Sequence, residues 1–171
     1  MSLYTSAVHQ LLLEPPLPDL GPGSPKLLFR ERLTSLSLEE DFPRCQNRSL
    51  AQCCQAGLWL LFDFLDESHA LSQDIDTPTG SYWHGIMHRR EPDPSNSRYW
   101  FRKVGAHPVL EQLKAVCTEK AYPFESAFHF IDLCEKVRGT GSALEKQAQV
   151  IQMIEWQLLF DWCYGLSVAQ P

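Results

Sequence analysis

An all-α fold, a helical bundle or helical-hairpin array of about six helices behind a Pro-rich N-terminal strap, is predicted by three observations. Apolar residues recur at three-and-four spacing through much of the chain. No segment alternates apolar and polar residues long enough to argue for a sheet. Proline and glycine crowd residues 15–25, PPLPDLGPGSP, where a helix is excluded because proline lacks the N–H donor and clashes with the preceding turn.

Each element follows from local chemistry. Residues 1–28 are expected to form the strap, pinned to the body by a few leucines, ahead of a single α-helical domain over 29–171. Residues 29–38 read as a weak, short helix. A stronger helix is predicted over 49–70. It places Leu50, Cys54, Gly57, Leu58, Leu61, Leu65 and Ser68 on one stripe, with Asp63 and Glu67 opposite. DIDTPTG, residues 74–80, reads as a loop. A helix over 81–90 is then broken by Glu91-Pro92-Asp93-Pro94. Pro94 or Ser95 opens the next helix, which ends near Val104 with Gly105 at its C-cap. Two more are predicted at 108–120 and 124–138. Ser142 and Glu145 form a capping box for the most regular helix, 142–165. Its stripe of Leu144, Ala148, Ile151, Leu158 or Leu159, Trp162 and Leu166 includes one acid, Glu155, which requires a buried partner.

Composition narrows the function classes. A length of 171 residues suits one domain able to bury a core without disulfides or metals. A net charge of −6 argues against general nucleic-acid binding, which needs a basic surface. No apolar run approaches the ~20 residues of a membrane span. Residues 1–10 lack the basic start and apolar core of a signal peptide, so a cytoplasmic location is expected. None of the six cysteines forms a C-x-x-C pair. They read as small buried apolar residues, with a redox role for the adjacent Cys53-Cys54 as the alternative.

Chemistry concentrates in residues 82–108, YWHGIMHRREPDPSNSRYWFRKVGAHP, which hold three of the six histidines and two of the five tryptophans. At helical pitch His84, His88 and Glu91 fall within about 60° of one another. An i, i+4 histidine pair can point at one metal ion. His69, at the end of the preceding helix, is placed to approach the pair. Glu91, Asp93 and Glu155 are candidate further ligands, and Glu91 or Glu155 a candidate catalytic base. The alternative for the pair is structural, donating to carboxylates and carbonyls. Arg89, Arg90, Arg98 and Arg102 beside Tyr82, Trp83, Tyr99 and Trp100 could bind a carboxylate or phosphate, or pair with Glu91, Asp93 and Glu111. Asn96 is placed to cap its helix or to bind.

These residues carry two resemblances. Residues 82–108 resemble a tetratricopeptide-type helical hairpin. That repeat's small first-helix residue falls on Gly85, its small second-helix residue on Ser97 and its aromatic on Phe101, and Pro108 lies within one residue of the closing proline. The usual core positions of the first helix fall instead on Ser81, His84 and His88. No second copy follows at a period of about 34 residues, so the rest of the bundle has to cover the hairpin. The run from Gly80 to Pro108 is also similar to the signature of a helical family of planctomycete-type bacteria and fungi. That signature is W-H-G-x-x-H-R-x-E, an acidic turn, then N-x-x-Y-W-F-R-x-V-G-x-H-P. LDESHALSQDIDTPTG and EWQLLFDWCY extend the similarity over residues 50–165, and Pro94 stands where a bulky residue is more usual. The resemblance implies a helical fold and no particular activity.

Two functions follow as expectations. One is a binding or interaction domain whose groove, drawn from Trp83, His84, His88, Arg89, Asn96, Tyr99, Arg102 and His107, takes an acidic small molecule or peptide. The other is a metal-dependent enzyme, hydrolase- or oxygenase-like. It would use His84 and His88 as ligands to zinc, iron or manganese, with His69 and Glu91 as further ligands. No G-x-S-x-G, P-loop or dinucleotide fingerprint is present.

Overall fold

The computed structural model describes residues 3–166, which contain ten α-helices, one short 3-10 turn and no strand. The helices are α1 Ser6–Leu11, α2 Arg30–Thr34, α3 Leu38–Asp41, α4 Arg48–Leu61, α5 Leu65–Ser72, α6 Pro78–Arg90, α7 Pro94–Val104, α8 Pro108–Glu119, α9 Ala127–Val137 and α10 Ala143–Tyr164. The all-α expectation holds, but the count exceeds six. The surplus comes from α1, which falls within residues 1–28 where an extended strap was expected, from α3, too short to leave a periodic trace, and from a split in the predicted 49–70 helix, while α2 lies within the weak helix expected over 29–38. None of the described helices is long and apolar enough to cross a membrane. Residues 1, 2 and 167–171 of the expected strap and domain lie outside the described part.

The split falls at Asp63, whose φ of 63° is left-handed and ends α4. The apolar stripe continues through Leu61, Leu65 and Ser68, so periodicity alone could not register the break. Asp63 is not on a solvated face. It is 4% exposed and ion-paired with Arg90 at 2.5 Å, and Lys26 Nζ lies 3.0 Å away. From this corner α5 packs against both α4 and α6.

Helix starts follow side-chain chemistry. Thr77, Asp93 and His107 each accept a backbone N–H at the N-terminus of α6, α7 and α8, and a proline occupies the next position in all three. The expected loop at 74–80 therefore donates its second half to α6. Ser142 caps α10 by accepting from Glu145 N–H. The reciprocal half of the capping box is absent, because Thr140 Oγ1 takes the Ser142 N–H. Glu145 instead accepts from Gly139 and Gly141.

Helix α6 is buried from Thr79 to Arg90, so it is a central rod and not an amphipathic surface helix. Two glycines let neighbours approach it. A Cβ on Gly57 of α4 would sit 2.7 Å from Trp83 Cη2, and one on Gly85 would sit 2.9 Å from the Phe101 ring of α7. Ser97 Oγ donates to Gly85 O at 2.8 Å, closing the α6–α7 hairpin. Around this rod one core joins α1 to α7 and α10 with Val109 of α8 and Ala127 and Ile131 of α9, and a second joins α8, α9 and α10 with Leu20.

Candidate metal centre

Helix α6 carries His84 and His88 one turn apart, so both rings leave the same side of the rod toward α5. Their Nε2 atoms face each other at 3.0 Å. The ring of His69, in the last turn of α5, stands 4.7 Å from that of His84 and 5.4 Å from that of His88. One ring nitrogen from each of the three lies within 4.8 Å of the others. Two nitrogens on one tetrahedral zinc lie about 3.4 Å apart, given bonds of about 2.0–2.1 Å, so the His84–His88 spacing is close to a ligand pair.

The opposite nitrogens are held. Ser72 Oγ lies 2.9 Å from His84 Nδ1 and 3.4 Å from the His69 carbonyl oxygen. Glu91 Oε2, an acceptor when ionised, lies 2.9 Å from His88 Nδ1. With Ser72 on His84 Nδ1 and Glu91 on His88 Nδ1, the two Nε2 atoms are the nitrogens left to share one hydrogen or one metal ion. Neither ring is held as a cation at neutral pH. Burial, reinforced by His88, His69 and Lys103, lowers His84 to about 3. Burial also lowers His88, against the opposing pull of Glu91.

His84 and His88 are buried, whereas His69 and Trp100 are half-buried and Lys103 is exposed. The Trp100 ring lies 4.1 Å from that of His84, and Lys103 Nζ lies 4.5 Å over Trp100. His69, Trp100 and Lys103 thus form the solvent side of the cluster.

The other predicted residues disperse. Glu91 meets His88 at Nδ1, on the side of the ring away from His84, so its carboxylate does not enter the space between the three rings. Glu155 is remote from the histidines: fully buried, it meets Arg89 at 2.5 Å and accepts from Tyr82 Oη at 3.2 Å. The second Glu155 oxygen also receives Arg89, Gln152 adds a third contact, and the guanidinium stacks 4.5 Å over Phe130. Arg90 donates to Gly21 O, Pro22 O, Leu60 O and Asp63. Arg98 pairs with Asp132, and Arg102 is exposed. The four arginines therefore line no common pocket.

Nor does the expected groove form one wall. Trp83 is fully buried, donating to Cys163 Sγ and packed on Gly57. Tyr99 is exposed beside Lys103. Asn96 bonds Asp93, which caps α7. His107 is a buried helix cap. Its Nδ1 accepts from Val109 N–H, its Nε2 contacts Thr79 Oγ1, and burial lowers it to about 4. Sequence reasoning missed Ser72 and Lys103, whose only sequence signal was a spacing of three residues from His69 and from Trp100. Comparison of this chain with family models, with curated proteins and with solved structures returns no match.

Proposed function

We propose that this chain is a binding domain built on a three-histidine divalent-metal site, His69, His84 and His88, which takes an anionic ligand at the remaining coordination position. The observation that carries the reading is the convergence of three imidazoles, one ring nitrogen from each lying within 4.8 Å of the others, with Nδ1 of His84 and of His88 engaged by Ser72 and Glu91. Imidazole donors suit zinc, iron, copper or nickel. The partners on Nδ1, a serine and a carboxylate, are those that orient metal-bound histidines. Lys103 at the rim and the charge of the ion both favour an acidic small molecule or peptide terminus, and Trp100 offers it an apolar face.

Three protein ligands leave a position for water, the pattern of catalytic zinc, and this favours hydrolase- or oxygenase-like catalysis as the second reading. A base for that water has to come from elsewhere than Glu91 or Glu155, since one is engaged behind His88 and the other is buried with Arg89.

The test is elemental analysis and zinc titration of the purified chain. About one equivalent is expected, with a rise in melting temperature that scales with zinc concentration. Both should vanish in a folded His84→Ala/His88→Ala variant. Less than a tenth of an equivalent after reconstitution, with an unchanged melting temperature, refutes the reading.

A further inference from the structure

Outside the histidine centre, the densest set of reactive side chains is a run of four cysteines. Cys45 lies in the non-helical connection between α3 and α4, and its Sγ touches Cys54 Sγ of α4 at 3.8 Å. Cys53 and Cys54 in turn both face Cys163 of α10. The run could be a soft-metal cage or a redox relay. Among the described residues the only three ligands that converge are the histidines, so the sulfurs form a chain of contacts and not a cage.

Access differs sharply along that chain. Cys53, Cys54 and Cys163 have no exposed surface. Cys45 is half-buried and lines an open cavity of about 340 Å³ with Phe42, Asn47 and Arg48. A solvent-borne oxidant therefore meets Cys45 first. Cys54, without exposed surface and 3.8 Å behind Cys45, meets the oxidised Cys45 and not the oxidant, which makes it the resolving group.

We propose that Cys45 and Cys54 are an oxidation site that closes to a disulfide on exposure to a hydroperoxide. The Cys45 thiolate attacks the peroxide oxygen, breaking the O–O bond and releasing the alcohol or water. Cys45 is thereby oxidised to a sulfenic acid and the peroxide reduced. Cys54 sulfur then attacks Cys45 sulfur, its proton leaves with the hydroxyl as water, and the S–S bond forms. The sulfurs have to close from 3.8 Å to about 2.0 Å. The irregular backbone around Cys45 can supply that movement while Cys54 stays fixed in its helix. The adjacent pair Cys53-Cys54, singled out in the sequence, is thus split: one member faces Cys45, and both face Cys163.

The proposal is independent of the histidine site and is tested on the full chain after chelation. Reduced protein is treated with a small excess of hydrogen peroxide and analysed by intact mass, thiol titration and non-reducing peptide mapping. The expected result is loss of two hydrogens and a fall from six free thiols to four. A peptide linking Cys45 to Cys54 should appear, and dithiothreitol should reverse every change. Cys45→Ser, at a half-exposed position outside any helix, should fold normally and keep all five of its remaining thiols. Six free thiols after treatment overturn the proposal. So does oxygen added at Cys45 without linkage, or a bridge that omits Cys45.

Discussion

At Glu91 a half-exposed carboxylate selects the nitrogen that His88 offers. Removing it frees the ring to rotate or change tautomer without opening the core. Glu91→Ala is therefore expected to weaken zinc binding about 10–100-fold, as losing the partner that orients a metal-binding imidazole does, with little change in the melting temperature of the metal-free chain. Competition against a chelator of known affinity measures it. The buried ion pairs behave differently. Asp63→Ala would leave the Arg90 guanidinium buried and short of its charge partner, and a loss of about 3–5 kcal/mol is expected from urea unfolding. The histidine pair was legible in sequence because i, i+4 spacing fixes a shared helix face. The partner of Glu155 was legible only as a requirement. Its identity, Arg89, depends on how α10 crosses α6. For Arg90 the sequence suggests an acidic ligand or pairing with Glu91, Asp93 and Glu111, whereas its acceptors are Asp63 and the carbonyls of Gly21, Pro22 and Leu60, far away in sequence.

Among the elements, α6 is decisive because it meets α4, α5 and α7. Close approach at Gly85 brings Phe101 against the rod and Trp100 against His84. Gly85→Ala places a methyl carbon 2.9 Å from the Phe101 ring, and overpacking of this kind typically costs about 1–3 kcal/mol. The hairpin should open slightly, so reduced zinc affinity and a quenched or shifted Trp100 fluorescence are expected together. A stability loss with unchanged affinity would mean that the hairpin does not position the cluster. The starts of α7 and α10 and the Gly105 cap were readable from Asp-Pro, Ser-x-x-Glu and glycine signals. The α4–α5 corner was not, because a left-handed aspartate leaves the apolar period undisturbed on both sides.

For the whole molecule, buried neutral histidines couple folding to pH. His84 is held at about 3 and His107 at about 4, with His88 also lowered, against about 6.5 in an unfolded chain. Below pH 6.5 the unfolded chain takes up protons that the native state refuses. Stability is thus fully present above about pH 6.5 and falls as pH drops through the window toward 4 and 3. The urea midpoint of the metal-free chain should decline between pH 7 and 5. His107→Asn, whose amide can still accept the Val109 N–H, should flatten part of that slope.

By itself the sequence determined the helical class and the shared face of His84 and His88. These are local properties, set by side-chain period, capping chemistry and helical pitch within one element. Only the tertiary structure decided that His69 joins the two rings, that Glu91 and Ser72 stand on their outer nitrogens, and that Glu155 belongs to Arg89. Each of those depends on the turn at Asp63 or on the crossings of α6 with its neighbours. Such geometry arises from packing between distant segments, which no window of sequence contains.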